Sequence, residues 1–259
     1  MNNLMPSMQE LQSLFEDKYP DLFEGGWGPI TRQKFGYYTP DDYYEGLVEK
    51  LIQRGTKWAD IGCGRDIFPS NALLARKLAA QCEVVAGIDP DPNIDDNDFV
   101  TEAHKVMIED FSSDHEFDLV TLRMVAEHIS NPEETLRILA SITQKDGLII
   151  IYTPHKWAPV SFVARWTPMS AHHWVKSRFW GTEERDTFPV EYKMNTKKEL
   201  VRLFDAAGFE EASYELIDDC RIFNNFRVLN YLELCFWQFC RWVSFPYPEK
   251  CIIGAYRKK

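Results

Sequence analysis

The stretch Lys57-Trp58-Ala59-Asp60-Ile61-Gly62-Cys63-Gly64-Arg65-Asp66 changes character halfway, from a short apolar run into a turn punctuated by glycine. Shortly beyond it, Asn71 to Ala80 carries apolar side chains at helical spacing. A strand that turns through glycines into a helix is the opening unit of an open α/β sheet. Four more runs continue the pattern: EVVAGID at 83–89, HKVMIE at 104–109, FDLVTLR at 117–123 and GLIIIYT at 147–153. A helix over 132–143 is marked by Asn131 as N-cap, Pro132 in the first turn, Glu133 and Glu134 against the dipole, and Gly147 soon after its end. Another starts at Thr196, with Glu199 completing a capping box and Gly208 following the last turn. Strand-like runs at 209–217 and 251–256 close the chain. The alternation predicts a mostly parallel sheet with helices on both faces.

The glycine turn has a chemical use as well as a geometric one. Glycines let the backbone pass close to a ligand, and the following helix offers unpaired N–H groups. A Gly-x-Gly turn alone is a weak signal, because tight structural turns use it too. Asp89 adds to it: at the end of the second run, 27 residues after Gly62, a carboxylate can accept from both ribose hydroxyls. The pair indicates an adenosine-containing ligand. A dinucleotide fingerprint asks for glycine at position 67, which is Ile, and the turn begins with Asp60, which suits a cationic ligand better than a pyrophosphate. The acidic run DPDPNIDDND, from Asp89, has calcium-loop spacing, but Ile94 and Val100 stand where the loop needs Gly and Glu.

In order, DIGCG, GIDPD, IEDF, FDLVTLRMVAEHISNPEETLRIL and KDGLIIIYTPH, spanning roughly 55–155, resemble the class I S-adenosylmethionine-dependent methyltransferases. The likeness is nearest to the small-molecule branch that includes the ubiquinone-biosynthesis O-methyltransferases. It implies a Rossmann-like α/β fold with a seven-stranded, mostly parallel sheet, and S-adenosylmethionine as cofactor. It also implies that Asp60, Gly62, Cys63 and Gly64 meet the methionine half, that Asp89 with Pro90 holds the ribose, and that Asp110 with Phe111 sits near the adenine amine. Arg123 and Met124 begin the segment that lines the sulfonium. Asp66 departs from the resemblance, standing where many relatives carry glycine.

Methyl transfer from a sulfonium is an in-line displacement, so the enzyme aligns the acceptor and deprotonates it where it is a hydroxyl. Glu127 and His128, just past the fourth run, lie by topology at the ligand edge and are the first candidates. In similar quinone-pathway enzymes such a pair binds a divalent cation or acts on the acceptor hydroxyl. His155, after the fifth run, and His172 and His173 compete with them. Packing or loop-capping roles remain open for all five. Residues 154–195 read as a lid, in which Trp157, Trp166, Trp174 and Trp180 are suited to stack on a flat acceptor and Arg165, Arg178 and Arg185 to hold an anionic one.

The remaining expectations come from composition. Twenty-nine basic residues against 40 acidic ones leave a net charge of −11, which disfavours nucleic acid, as does the absence of an Asn/Asp-Pro-Pro-Tyr/Phe segment after the fourth run. Six cysteines without a Cys-x-x-Cys pair and a first segment without a signal-peptide profile predict a reducing, cytoplasmic setting. Residues 1–50 read as a helical cap over the ligand edge, and 51–259 as the methyltransferase domain, with the lid and an aromatic helical insertion at 220–250. The core of that insertion, LNYLELCFWQFCRWVSF at 229–245, is too short and too polar to span a membrane. It reads as a buried helix, a substrate lid or a homodimer surface, and a membrane partner is not expected because interfacial helices usually carry a Lys/Arg-rich face. The function expected is O-methylation of a small-molecule acceptor. The alternatives are a tRNA or other macromolecule methyltransferase, and a non-catalytic cofactor-binding module.

Overall fold

The computed structural model describes residues 4–166 and 189–259. Three helices, α1 (Met8–Lys18), α2 (Trp27–Phe35) and α3 (Pro40–Leu51), precede the first strand. Then follow β1 (Lys57–Ile61), α4 (Ala72–Ala79), β2 (Val84–Ile88), β3 (Glu102–His104), β4 (Phe117–Arg123), α5 (Pro132–Ile142), β5 (Thr143–Pro154) and α6 (Pro159–Trp166). Beyond residue 189 come α7 (Lys197–Ala206), β6 (Phe209–Asp218), α8 (Arg227–Trp242) and β7 (Lys250–Lys258). His172, His173, Trp174, Arg178, Trp180 and Arg185 lie outside the described residues, as do the side chains of Arg165 and Trp166.

The seven strands form one sheet in the order β3-β2-β1-β4-β5-β7-β6. Pairings from β3 through β5 are parallel, and β7 runs antiparallel to both β5 and β6. β1 lies between β2 and β4, so the chain changes direction across the sheet at β1, and the crevice above its C-terminal end is where ligands of such sheets bind. One face is covered by α3 and α4: Leu47, Val48, Leu74 and Leu78 share a core with Trp58, Val85, Leu119 and Ile150. On the other face, Leu136 and Leu139 of α5 and Leu200 and Phe204 of α7 pack on Ala59, Val120, Ile149 and Ile151. The division expected at residue 50 therefore falls in the last turn of a helix that is part of the sheet's own core.

The third run is a correction. The expected strand at 104–109 is instead the short β3 at 102–104, followed by a 3-10 turn at Ile108–Asp110. β3 is an edge strand whose neighbour β2 ends at Ile88, opposite His104, so the ladder has no partner to continue with. Gly147 does not stop α5 either. The helix passes straight into β5 at Thr143, and the left-handed residue is Asp146. Gly147 is needed for close approach, because a Cβ there would stand 2.9 Å from the Gln144 carbonyl and 3.0 Å from that of Phe117. The aromatic helix α8 is buried on one side only, with Trp242 82 % exposed. No described helix is long and apolar enough to cross a membrane.

Candidate active site

The C-terminal end of β1 breaks into the glycine turn. Gly62 and Gly64 both have positive φ, +69° and +48°, which favours residues without a Cβ. At Gly62 the space is also closed, since a Cβ would meet Val125 Cγ2 at 2.2 Å, whereas at Gly64 a Cβ would meet nothing within 4 Å among the described residues beyond its chain neighbours. Asp89 sits at the end of β2 and locks the turn: its Oδ2 accepts from the Gly64 N–H at 2.9 Å and its Oδ1 from the Asp91 N–H at 2.8 Å. Each carboxylate oxygen keeps a further lone pair for a ligand hydroxyl. Asn97, which the sequence reading did not single out, completes the clamp by donating from Nδ2 to the Gly64 carbonyl at 3.0 Å. Cys63 is buried beside this turn, and Pro90 is half-buried after Asp89.

Below the turn lies an acidic floor. Asp60 is buried and accepts from Thr121 Oγ1 at 2.6 Å, while Thr121 accepts from Trp58 Nε1 at 2.7 Å. Burial pushes the Asp60 carboxyl up to about 7 and nearby Asp89 adds to the rise, against the opposing effects of the Thr121 hydrogen bond and Arg123. Tyr44 of α3 presents a fully buried hydroxyl without a hydrogen-bond partner among the described residues, in the field of the same Asp60. Two neighbouring buried carboxylates, an orphan phenol and open space at Gly64 suit a ligand with positive charge and several hydroxyls. S-adenosylmethionine, with its ammonium, sulfonium and ribose, fits that donor set.

Arg123, at the tip of β4, turns toward α3. Its Nη2 and Nε donate to Asp41 Oδ1 at 3.0 and 3.3 Å. The other oxygen of Asp41 accepts from Arg221, which also donates to Asp219 at 2.6 and 2.7 Å and to the Tyr152 hydroxyl at 3.0 Å. Burial alone would raise the Asp41 carboxyl, but the two guanidiniums outweigh it and hold the group well below the carboxylate range. Met124 follows with φ 55°, its N–H donating to the Tyr152 carbonyl at 2.7 Å.

On the sheet's opposite face, Glu127 is buried, and its Oε2 accepts from Thr153 Oγ1 at 2.7 Å. Thr153 in turn accepts from Asn195 Nδ2 at 2.7 Å, and Asn195 Oδ1 is buried without a partner among the described residues. Burial raises the Glu127 carboxyl, with His128 and the Thr153 hydrogen bond opposing. His128 Nδ1 stands 3.1 Å from the Pro189 carbonyl. A carbonyl only accepts, so this contact places the proton on Nδ1 and leaves Nε2 with a free lone pair. His155 has the reverse pattern: its Nδ1 accepts from the Trp157 N–H at 3.3 Å, which puts the proton of the neutral ring on Nε2. Burial first, then Lys250, lowers the His155 value. Asp110 is exposed on the 3-10 turn, and Phe111 is buried against His104. Among the described residues no group of three or more His, Cys, Asp or Glu converges as a metal site.

The geometry agrees with what the chain is similar to. A mitochondrial ubiquinone biosynthesis O-methyltransferase of Arabidopsis thaliana is 28% identical over 174 residues, which is 60% of this chain and 49% of the relative. The corresponding enzyme of Glaesserella parasuis is 25% identical over 144 residues, 47% of this chain and 58% of the relative. The chain thus spans about half the length of these curated relatives. A Listeria monocytogenes protein assigned as an S-adenosylmethionine-dependent methyltransferase superposes with a TM-score of 0.53 at 12% identity, covering 85% of this chain and 98% of its own, a likeness of fold. The methyltransferase-domain profile matches residues 32–214, from within α2 into β6. The chain belongs to the methyltransferase-domain family, as a class I S-adenosylmethionine-dependent member.

Proposed function

We propose that this protein transfers a methyl group from S-adenosylmethionine to a hydroxyl of a small-molecule acceptor, with His128 as general base. The observation that carries the reading is the acidic floor of Asp60 and Asp89 beneath the open side of Gly64, together with a histidine whose Nε2 is free to take a proton. The cofactor supplies an electrophilic methyl group. Asp89 holds the ribose hydroxyls, Asp60 neutralises positive charge, and Asp110 with Phe111 flanks the adenine. Glu127 stays behind His128 as a buried carboxyl that orients the loop through Thr153 and Asn195, and His155, a donor on Nε2, is not the base. The names of the curated relatives support an oxygen acceptor. Six cysteines without a disulfide suit a reducing compartment such as the cytoplasm.

The test is transfer of labelled methyl from S-adenosylmethionine to a panel of phenols, catechols and hydroxylated carboxylic acids, with bulk tRNA as the macromolecular comparison. Label in an ether of at least one small hydroxyl compound is expected. His128→Ala should lower kcat by about 10²–10⁴ with cofactor affinity unchanged, and His155→Ala should leave kcat within a few fold. Label in tRNA alone, or loss of turnover in His155→Ala with His128→Ala still active, would reverse the corresponding assignment.

A further inference from the structure

α8 has two apolar faces, and the described residues cover only one of them. Leu234, Trp237 and Cys240 face inward, together with Asn230 and Glu233, which bond to each other and to the 220–223 backbone. On the opposite side Val228, Leu232, Phe236, Phe239 and Trp242 recur at helical spacing, and Phe245 extends the stripe. Their exposures run from 49 % at Phe236 to 82 % at Trp242. A helix of 16 residues is about 24 Å long, so this is a continuous apolar ridge and not a scatter of single exposed side chains.

The ridge has a charged frame of one sign. Across α2, residues 219–226, α8 and residues 243–250 there are six basic residues against three acidic ones, and of the basic ones Arg32, Arg221 and Lys250 are paired with Asp42, Asp41 and Asp218, which leaves Lys34, Arg227 and Arg241. Of the acids, Glu233 and Glu249 are buried and Asp219 is paired with Arg221. Lys34 and Arg227 are exposed beside the ridge, with Lys34 5.2 Å from the Tyr231 ring, while Arg241 lies over the inward-facing Trp237 ring at 4.9 Å. This positive border belongs to a chain whose net charge is −11. The sequence expectation against a membrane partner weighed the basic residues of the helix alone, whereas the fold brings Lys34 to it from α2.

We propose that α8 docks on an anionic lipid surface, with the Val228–Phe245 ridge in the headgroup and acyl boundary and Lys34 and Arg227 on the phosphates. Charge complementarity selects this occupant. Ridge-to-ridge pairing of two copies would set basic border against basic border, whereas an anionic surface meets both features at once. The insertion leaves the sheet at Asp218 and returns at Lys250, which pair, next to the Pro154–Cys251 pair at the edge that also carries Gly62 and Arg123. Docking through α8 would therefore place the ligand edge on the lipid-facing side of the molecule. The proposal stands whatever the acceptor is.

Flotation of the full chain with vesicles of equal parts phosphatidylcholine and phosphatidylglycerol, against phosphatidylcholine alone, tests it. Co-flotation with the anionic vesicles is expected, falling at high salt and on neutral vesicles. Phe239→Glu with Trp242→Glu should lower partitioning tenfold or more, because each ring would otherwise leave water. Lys34→Glu with Arg227→Glu should weaken binding to the anionic vesicles while any residual partitioning into neutral ones is kept. All four positions are exposed, and unchanged circular dichroism and S-adenosylmethionine affinity would confirm folding. Wild-type protein that stays unbound on anionic vesicles, or apolar variants that float undiminished, would overturn the proposal. So would a dimer in sedimentation velocity that Phe239→Glu dissolves without any flotation, which would give the ridge to a second copy.

Discussion

At the scale of single residues, Asp60 makes the binding reaction measurable through its proton. Its carboxyl is raised to about 7 in the ligand-free protein, so near neutrality it is partly protonated. A ligand with positive charge favours the ionised form, and binding near pH 7 should release up to one proton. Affinity for S-adenosylmethionine should then weaken as pH falls below 7, by up to about tenfold per unit, and level off above 8. Calorimetry in buffers of different ionisation enthalpy reads the released proton directly, and Asp60→Asn should abolish it. The sign for stability is opposite: a carboxyl raised in the folded state contributes stability below the ordinary carboxylate range, which is lost as pH rises toward and through 7. A ligand-free protein that gained stability over that interval because of Asp60 would contradict the assignment. Asp60, Gly62, Gly64 and Asp89 were legible in the sequence because each sits where a strand ends. Asn97 was not, because nothing in DDND distinguishes an amide that clamps a glycine carbonyl from a loop residue in water.

At the scale of elements, the buried strands were legible because a strand covered on both faces is largely apolar instead of alternating, as the centres of FDLVTLR and GLIIIYT are. β3 was misread because an edge strand ends where its neighbour ends, which the apolar content of HKVMIE does not report. The turn after β1 makes a sharper prediction, because its two glycines are constrained differently. Gly62→Ala must place a methyl 2.2 Å from Val125 at φ +69°, and should cost about 2–4 kcal/mol from backbone strain and overpacking combined. Gly64→Ala meets open space and incurs the strain alone, about 1–2 kcal/mol, but should weaken S-adenosylmethionine binding by filling the room beside the ligand. Denaturant unfolding and calorimetry on the two variants separate the effects. Val125→Ala should recover part of the loss in Gly62→Ala and none of that in Gly64→Ala, and equal recovery in both would show that the contact is not what limits Gly62.

At the scale of the whole molecule, the N-terminal helices and the C-terminal strands are stitched together at the ligand edge by groups far apart in sequence. The Tyr37 hydroxyl donates to the Asp218 carbonyl at 3.1 Å and accepts from the Cys220 N–H at 2.8 Å, and Asp41 bridges Arg123 and Arg221, which lies 180 residues away. No pattern in a single sequence pairs Asp41 with Arg221, because a long-range ion pair leaves no periodicity behind it, and for that reason the network escaped the reading of Arg123. Asp41→Asn would remove the carboxylate shared by two guanidiniums that are 25 and 29 % exposed. Breaking a buried pair costs about 3–5 kcal/mol, and partial access of water to the arginines reduces this to about 2–4 kcal/mol. Asp41 is held below its unfolded value, so its contribution is present above the ordinary carboxylate range and is lost as pH falls through its lowered folded value. The stability gap between wild type and Asp41→Asn should therefore be widest near pH 7 and shrink below about pH 4. Urea unfolding at several pH values measures that gap. A gap that does not narrow in acid would remove the ion pair as its cause, and full stability with lost S-adenosylmethionine affinity would make Asp41 part of the binding site instead of the stitch that holds α3 and residues 219–221 across the sheet.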